Sequence, residues 1–298
     1  MIIGIPKGLL YYRYEALWRS FFHTLKIETL VSQNTDYGLM AEGIRNTADE
    51  SCLPAKIYLG HVRSLAGKCD YILVPRFDGT GKNEKLCERF FGMYDTVKNT
   101  FPGVRLLDYN LSSKGLHSEA RGFVEMGARL GKHPFVSLFA YNQAKKTQKE
   151  QQAAQVRRQK KRLAAEGAKI LLVSQPYVIH DTQLGKPLLQ ILKDLNITPV
   201  FSDDCDAAEC VKASRKISKQ LYWSMNKESI GSIPLLQNQV DGVILLTAYP
   251  CGTDSLVNEM VMRKVRDIPV IQILLDEQQG EAGLQTRLES FADIIAKR

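Results

Sequence analysis

The chain has 298 residues, 44% apolar, 24% charged and 8% aromatic, a composition that can bury a sizeable core and excludes a disordered or fibrous protein. Its formal net charge of +8 suggests nucleic acid only until it is located: from Lys145 to Arg162 eight basic residues stand against one acid, Glu150, with no aromatic residue to stack on a base. No apolar run nears the roughly 18 uncharged residues that cross a bilayer and no secretory leader is read at the start, so a cytoplasmic protein binding neither membrane nor nucleic acid is expected.

Apolar runs that read as buried strands alternate with amphipathic segments, the pattern of a parallel sheet with crossover helices. A strand is predicted over 2–5, a helix over 11–25 with Leu17, Phe21 and Phe22 close to one face, and a strand over 27–31. A Gly- and Asn-containing stretch follows, then a helix over 55–65, a strand over 71–75, a helical segment over 90–98 and a strand over 104–107. Residues 134–166, bounded by Gly131 and Gly167, are rich in Gln and Lys and poor in apolar residues after Tyr141. They read as a connecting helix with a solvated basic face; the sharper reading is a docking strip for an acidic partner or for the phosphates of a CoA-like ligand. The alternation restarts with a strand over 169–173, a helix over 184–195, a strand over 198–201 and a helix over 213–223. Strands over 243–246 and 270–274 flank a helix over 256–265, and a last helix covers 285–296. The expected architecture is α/β: two Rossmann-like, flavodoxin-like lobes with parallel sheets, 1–133 and 168–298, joined by the basic helical segment 134–167.

Several common sites are excluded by position. Gly79-Thr80-Gly81-Lys82 resembles the tail of a phosphate loop, but the motif requires glycine at Arg76 and Ser or Thr at Asn83, and a dinucleotide fingerprint requires glycine at Glu84. No cysteine pair has the two-residue gap of a zinc knuckle, and HExxH is absent.

The six cysteines sort by their surroundings. Cys69, at the entrance to a strand, reads as a small apolar residue. Cys205 and Cys210 stand among acids; on one helix they would point apart, and neighbouring carboxylates would raise their thiol pKa, so both read as structural. Cys52, Cys87 and Cys251 differ, because each lies in a loop expected at the C-terminal edge of a sheet, where open α/β folds place ligands. Cys251 follows a strand, is flanked by Pro250 and Gly252, and precedes a helix. Cys52 precedes Leu53-Pro54, a first helical turn whose dipole and N–H groups favour a thiolate. Each alone is explained as a buried thiol; their common placement argues for a ligand set. Three thiolates converging between two lobes would hold a 4Fe-4S cluster and leave one iron open as a Lewis acid.

At these residues the sequence resembles the 2-hydroxyacyl-CoA dehydratase family of iron–sulfur proteins, and within it the acyl-CoA dehydratase activase-related proteins of anaerobes. The blocks that carry the resemblance are IGIPKGLLYYRYEALWRSFF, DESCLPAKIYLGH, YILVPRF with LCERFFGMYD, YPCGTDSLVNE and LLDEQQGEAGLQTRLESFAD, in that order along nearly the whole chain. The resemblance implies a 4Fe-4S cluster, or a larger iron–sulfur assembly, held through Cys52, Cys87 and Cys251. It implies an acyl-CoA-type ligand, lyase-type chemistry, and an ATP-dependent activator protein that delivers one low-potential electron, with a second subunit or a homodimer as assembly. The alternative is a non-enzymatic electron relay or accessory protein that keeps the cluster. Relatives commonly carry proline in place of Thr253, and Gly-His or Gly-Arg before Pro176-Tyr177 where this chain has Ser174-Gln175; these departures leave the substrate open.

Tyr177, His180 and Asp254 are the candidate substrate-facing residues, with capping of the next helix an equal explanation for Asp181. His61 reads as a satisfied core histidine rather than a hydrogen-bond donor to a cluster sulfide. Glu281 and Arg287 are explained by a salt bridge between lobes and helix-end electrostatics, and Tyr11, Tyr12 and Trp18 by core and rim.

Overall fold

A computed structural model describes residues 1–79, 84–112, 118–278 and 280–297, the side chain of Glu281 excepted. It divides into two compact units, Met1–Gln151 and Gln152–Arg298. Each unit is a parallel sheet covered by helices.

The first unit runs β1 (Ile2–Ile5), α1 (Tyr11–Thr24), β2 (Glu28–Val31), α2 (Tyr37–Arg45), α3 (Leu53–Leu65), β3 (Tyr71–Leu73), β4 (Arg76–Phe77), α4 (Glu88–Thr100), β5 (Leu106–Leu107), β6 (Asn110–Leu111), α5 (Glu119–Arg129) and the start of α6 (Pro134–Leu163). The strand order is β2-β1-β3-β5, all parallel, and the parallel pair β4-β6 continues β3 and β5 after a break at Val74-Pro75 and Asp108-Tyr109. Ile3 and Ile5 of β1 are fully buried, as a central strand covered on both faces requires.

The second unit runs β7 (Lys169–Val173), α7 (Pro176–Ile179), α8 (Gly185–Asp194), β8 (Thr198–Phe201), α9 (Ala207–Ala213), α10 (Ser224–Leu236), β9 (Gly242–Ala248), α11 (Gly252–Lys264), β10 (Val270–Leu275) and α12 (Glu281–Ala296). Its order, β8-β7-β9-β10, is also all parallel. Numbered within each unit, both sheets read 2-1-3-4, and in both the second strand is followed by two helices before the third. The Rossmann-like α/β expectation therefore holds in both halves, and the halves share a topology although their sequences show no residue-level repeat.

Several elements differ from the sequence expectation. The helix predicted over 213–223 is absent: α9 begins at Ala207, because the Asp206 side chain caps Glu209 N at 3.0 Å, and ends at Ala213. A short 3₁₀ turn over Ser214–Lys216 follows, and α10 starts only at Ser224. Helices α2 and α5 lie where no element was predicted, capped by Asp36 (to Leu39 N, 2.8 Å) and Ser118 (to Arg121 N, 3.3 Å). The basic stretch lies on α6, with Lys146, Lys149, Arg157, Arg158, Lys160 and Lys161 exposed. The segment Thr80 to Asn83, with its phosphate-loop resemblance, lies outside the described residues.

Candidate functional site

Three helices begin on a cysteine. Cys52 is the N-cap of α3, Cys87 of α4 and Cys251 of α11, each partly exposed and each on a helix of 13 residues. None of the three side chains makes a capping hydrogen bond, so the sulfurs are not spent on the role Ser, Thr or Asp plays at such positions. The positive end of each helix dipole favours a thiolate there. No disulfide joins any of the six cysteines.

The shared topology gives this placement a pattern. Cys87 and Cys251 occupy equivalent positions, each capping the helix that follows the third strand of its own unit. Cys52 caps the helix that leads into the third strand; its counterpart in the second unit, the N-cap of α10, is Trp223, which has no ligating atom. The set of helix-capping thiols thus stops at three.

In the first unit, the crossing of α2 and α3 sets the loop that carries Cys52. A methyl group on Gly43 would stand 2.0 Å from the Lys56 carbonyl oxygen, and one on Gly60 would stand 2.2 Å from that of Leu39, so only glycine lets these helices approach as they do. Between α3 and α4 the buried side chains of Leu9, Leu10, Tyr58, Phe90 and Met93, with Pro75, leave an apolar void of about 10 Å³, room for one water molecule. Leu9 takes a left-handed backbone (φ 49°) there. Tyr11 and Trp18 are core residues, the indole donating to Tyr109 Oη at 2.8 Å.

His61 is fully buried, its Nδ1 2.9 Å from Ser32 Oγ and its Nε2 3.1 Å from Thr35 Oγ1. Both ring nitrogens are thus occupied by hydroxyls, as the core reading expects. Burial, with the Lys7 charge adding to it, pushes its pKa down to about 3. The folded state holds this imidazole neutral while the unfolded chain protonates it near 6.5, so stability is lost as pH falls from about 6.5 toward 3, at about 1.4 kcal/mol per pH unit from this group. Urea unfolding between pH 5 and 7 should show this slope, and a His61→Gln variant should lose it.

In the second unit the start of α11 is held by a buried network around Asp254, which is 6% exposed. Asp254 Oδ1 accepts from Gln175 Nε2 (3.0 Å) and Asn226 Nδ2 (2.7 Å), and Oδ2 accepts from Thr247 Oγ1 (3.1 Å). These donors come from the loop after β7, from α10 and from β9, so one carboxylate ties together the elements around Cys251. Asp254, expected to face substrate, is committed to these three contacts. The Gln175 Oε1 atom is buried without a hydrogen-bond partner. Cys251 follows a cis Tyr249–Pro250 peptide, and its Sγ lies 3.4 Å from Thr253 Oγ1.

Tyr177 is half-buried on α7, and His180 stands at that helix's C-terminal end with Nε2 2.7 Å from Asp203 Oδ2. Burial alone depresses the His180 pKa, but the Asp203 contact outweighs it and the net shift is upward. Asp181 accepts from Gln183 N (2.8 Å) and Leu184 N (3.1 Å), the capping role. Arg287 donates to the Gln272 carbonyl oxygen of β10, within its own unit; the Glu281 side chain lies outside the described residues. Cys69 donates to Leu65 O at 3.5 Å and packs on Gly4, as a small apolar residue would.

The expectation for Cys205 and Cys210 is corrected. Cys205 precedes the N-cap of α9 rather than lying on the helix, and its sulfur lies 3.6 Å from Gln159 Nε2 and 3.8 Å from Phe201 O. Interaction with the Cys210 thiol, helped by Gln159, pulls the Cys205 pKa down against burial and the Asp203 and Asp204 charges. The same interaction, with burial, pushes Cys210 up.

Among the described residues, no group of three or more His, Cys, Asp or Glu side chains is gathered as a metal site, and no helix is long and apolar enough to cross a membrane. Residues 2–205 match the family described as the CoA enzyme activase uncharacterised domain. No curated protein matches the chain.

Proposed function

Because the chain belongs to the family of the CoA enzyme activase uncharacterised domain, we propose that it serves an acyl-CoA dehydratase system as an iron–sulfur protein, with Cys52, Cys87 and Cys251 as ligands of a 4Fe-4S cluster. The observation that carries this reading is the repeated placement of a cysteine at the N-cap of α3, α4 and α11. The donor set suits the group: three sulfurs, none in a disulfide, each at the positive end of a helix that offsets the charge of an anionic thiolate cluster. Held by three thiolates, such a cluster supplies a one-electron store and one iron open to an oxygen ligand.

The remaining residues position the ligands. Gly43 and Gly60 fix the loop of Cys52, and the Asp254 network fixes the helix of Cys251. The exposed basic face of α6 suits the phosphates of CoA. An ATP-dependent activator and a second subunit or second copy are the partners proposed.

The test is anaerobic reconstitution of the full chain, expected to give about four irons and four sulfides per protein. Cys52→Ala, Cys87→Ala and Cys251→Ala should each bind less iron, whereas Cys69→Ala should match wild type. Retention of full iron by Cys251→Ala contradicts the assignment. A second reading, an electron relay or accessory protein, is favoured by the family description, which names an activase rather than a dehydratase. Spectra of the reduced cluster that acyl-CoA leaves unchanged would select it; a perturbation would select the substrate-binding reading.

A further inference from the structure

We propose that β10, an edge of the second unit's sheet, pairs antiparallel with β10 of a second copy of this chain, joining the two sheets across a two-fold axis at Gln272. The ladder fixes which groups of β10 are spare. Val243 N and Tyr249 N of β9 donate to Pro269 O and Leu275 O, and the two strands are parallel in unbroken register. Bonding groups alternate along such a ladder, so the N–H and C=O of Ile271 and Ile273 turn to β9, and those of Val270, Gln272 and Leu274 turn away from the sheet. Among the described residues, the Gln272 carbonyl alone of these outward groups has a partner, the Arg287 guanidinium, and a carbonyl oxygen keeps a second lone pair.

The opposite edge of the same sheet is built differently. On β8 the outward groups belong to Pro199, which has no N–H, and to Phe201, whose N–H and C=O are both taken by the Gln159 side chain at 3.2 and 2.6 Å. That edge therefore offers no N–H to another strand. Within β10 there is no charge, proline or bulge of the kind that keeps strand edges apart, and Leu274 is 39% exposed.

The sequence selects the occupant. Val270-Ile271-Gln272-Ile273-Leu274 reads nearly the same from either end. Turned about Gln272, the strand sets Val270 against Leu274, Ile271 against Ile273, and Gln272 against its own copy, whose amide both donates and accepts. Each outward N–H then meets an outward carbonyl of the other copy. Charge agrees with this direction: exposed Arg263, Lys264 and Arg266, with one acid, Asp267, lead into β10, and exposed Asp276 and Glu277 follow it. An antiparallel copy lays each basic end beside an acidic one, and both ends match at once, as a two-fold contact requires. The pairing uses no cysteine and stands apart from the cluster assignment.

The test is sedimentation equilibrium of the full-length chain at rising concentration, joined to hydrogen exchange. Wild type should approach twice the chain mass, and the Gln272 and Leu274 amides should exchange more slowly as the dimer fills, a readout needing no variant. Gln272→Lys sets two cations face to face at the axis and should weaken association about tenfold. Gln272→Cys should oxidise to a dimer linked from 272 to 272, since Cα atoms of such a pair lie about 5.5 Å apart, whereas Val270→Cys should not link to itself. A chain that stays monomeric while the β10 amides exchange freely, a dimer that Gln272→Lys leaves intact, or self-linkage through Val270→Cys but not Gln272→Cys would overturn the proposal.

Discussion

Replacing Asp254 with alanine is expected to lower the stability of the second unit by about 3 kcal/mol, because it strands three buried donors at once. Gln175 Nε2, Asn226 Nδ2 and Thr247 Oγ1 all point at this carboxylate, and water has little access to a side chain 6% exposed. Asp254→Asn should be much milder, about 1 kcal/mol. Its amide oxygen can still accept from Gln175 and Asn226, and the Thr247 hydroxyl can turn to accept from the new NH2 group. Urea unfolding followed by Trp223 fluorescence in a Trp18→Phe background reports on this unit, since those are the only two tryptophans. Equal midpoints for wild type and Asp254→Ala would show that the network does not hold α11.

Alanine at Gly43 or Gly60 is expected to cost about 2 kcal/mol each, by overpacking rather than by any lost contact. The added methyl group would meet a backbone carbonyl at 2.0 or 2.2 Å, and a backbone atom cannot swing aside as a side-chain tip can. Helices α2 and α3 would have to part. Because both substitutions act on one contact, the double variant should cost less than the sum of the singles. The loop from Asn46 to Cys52 joins these helices, so Cys52 should become more rapidly alkylated in either variant. A fully additive double variant with unchanged Cys52 reactivity would refute the close-approach account.

These glycines also explain what could be read from sequence and what could not. The strands over 2–5, 169–173 and 198–201 were legible to the residue, because a run such as KILLV buried on both faces has no other period to confuse it. Helices α2, α5 and α10 were not, because Gly43, Gly127 and Gly231 sit at helix contacts yet read as loop signals in a single sequence. The placement of Cys52 and Cys251 at helix starts was legible from Pro54 and from the strand, Pro250 and Gly252 around Cys251, whereas Cys87 was legible only as a loop position after a strand. The equivalence of Cys87 and Cys251 was not, since it resides in strand order and leaves no residue-level repeat. The position of Cys205 was hidden for a different reason: it lies in a turn one residue before a helix cap, which spacing alone reads as helix.

The most direct test of the cluster assignment is anomalous diffraction at the iron edge from crystals of the anaerobically reconstituted protein. The account predicts a single compact iron peak within bonding distance of the Sγ atoms of Cys52, Cys87 and Cys251. Iron bound at any other set of thiols, or a peak that any one of these sulfurs does not reach, would contradict it.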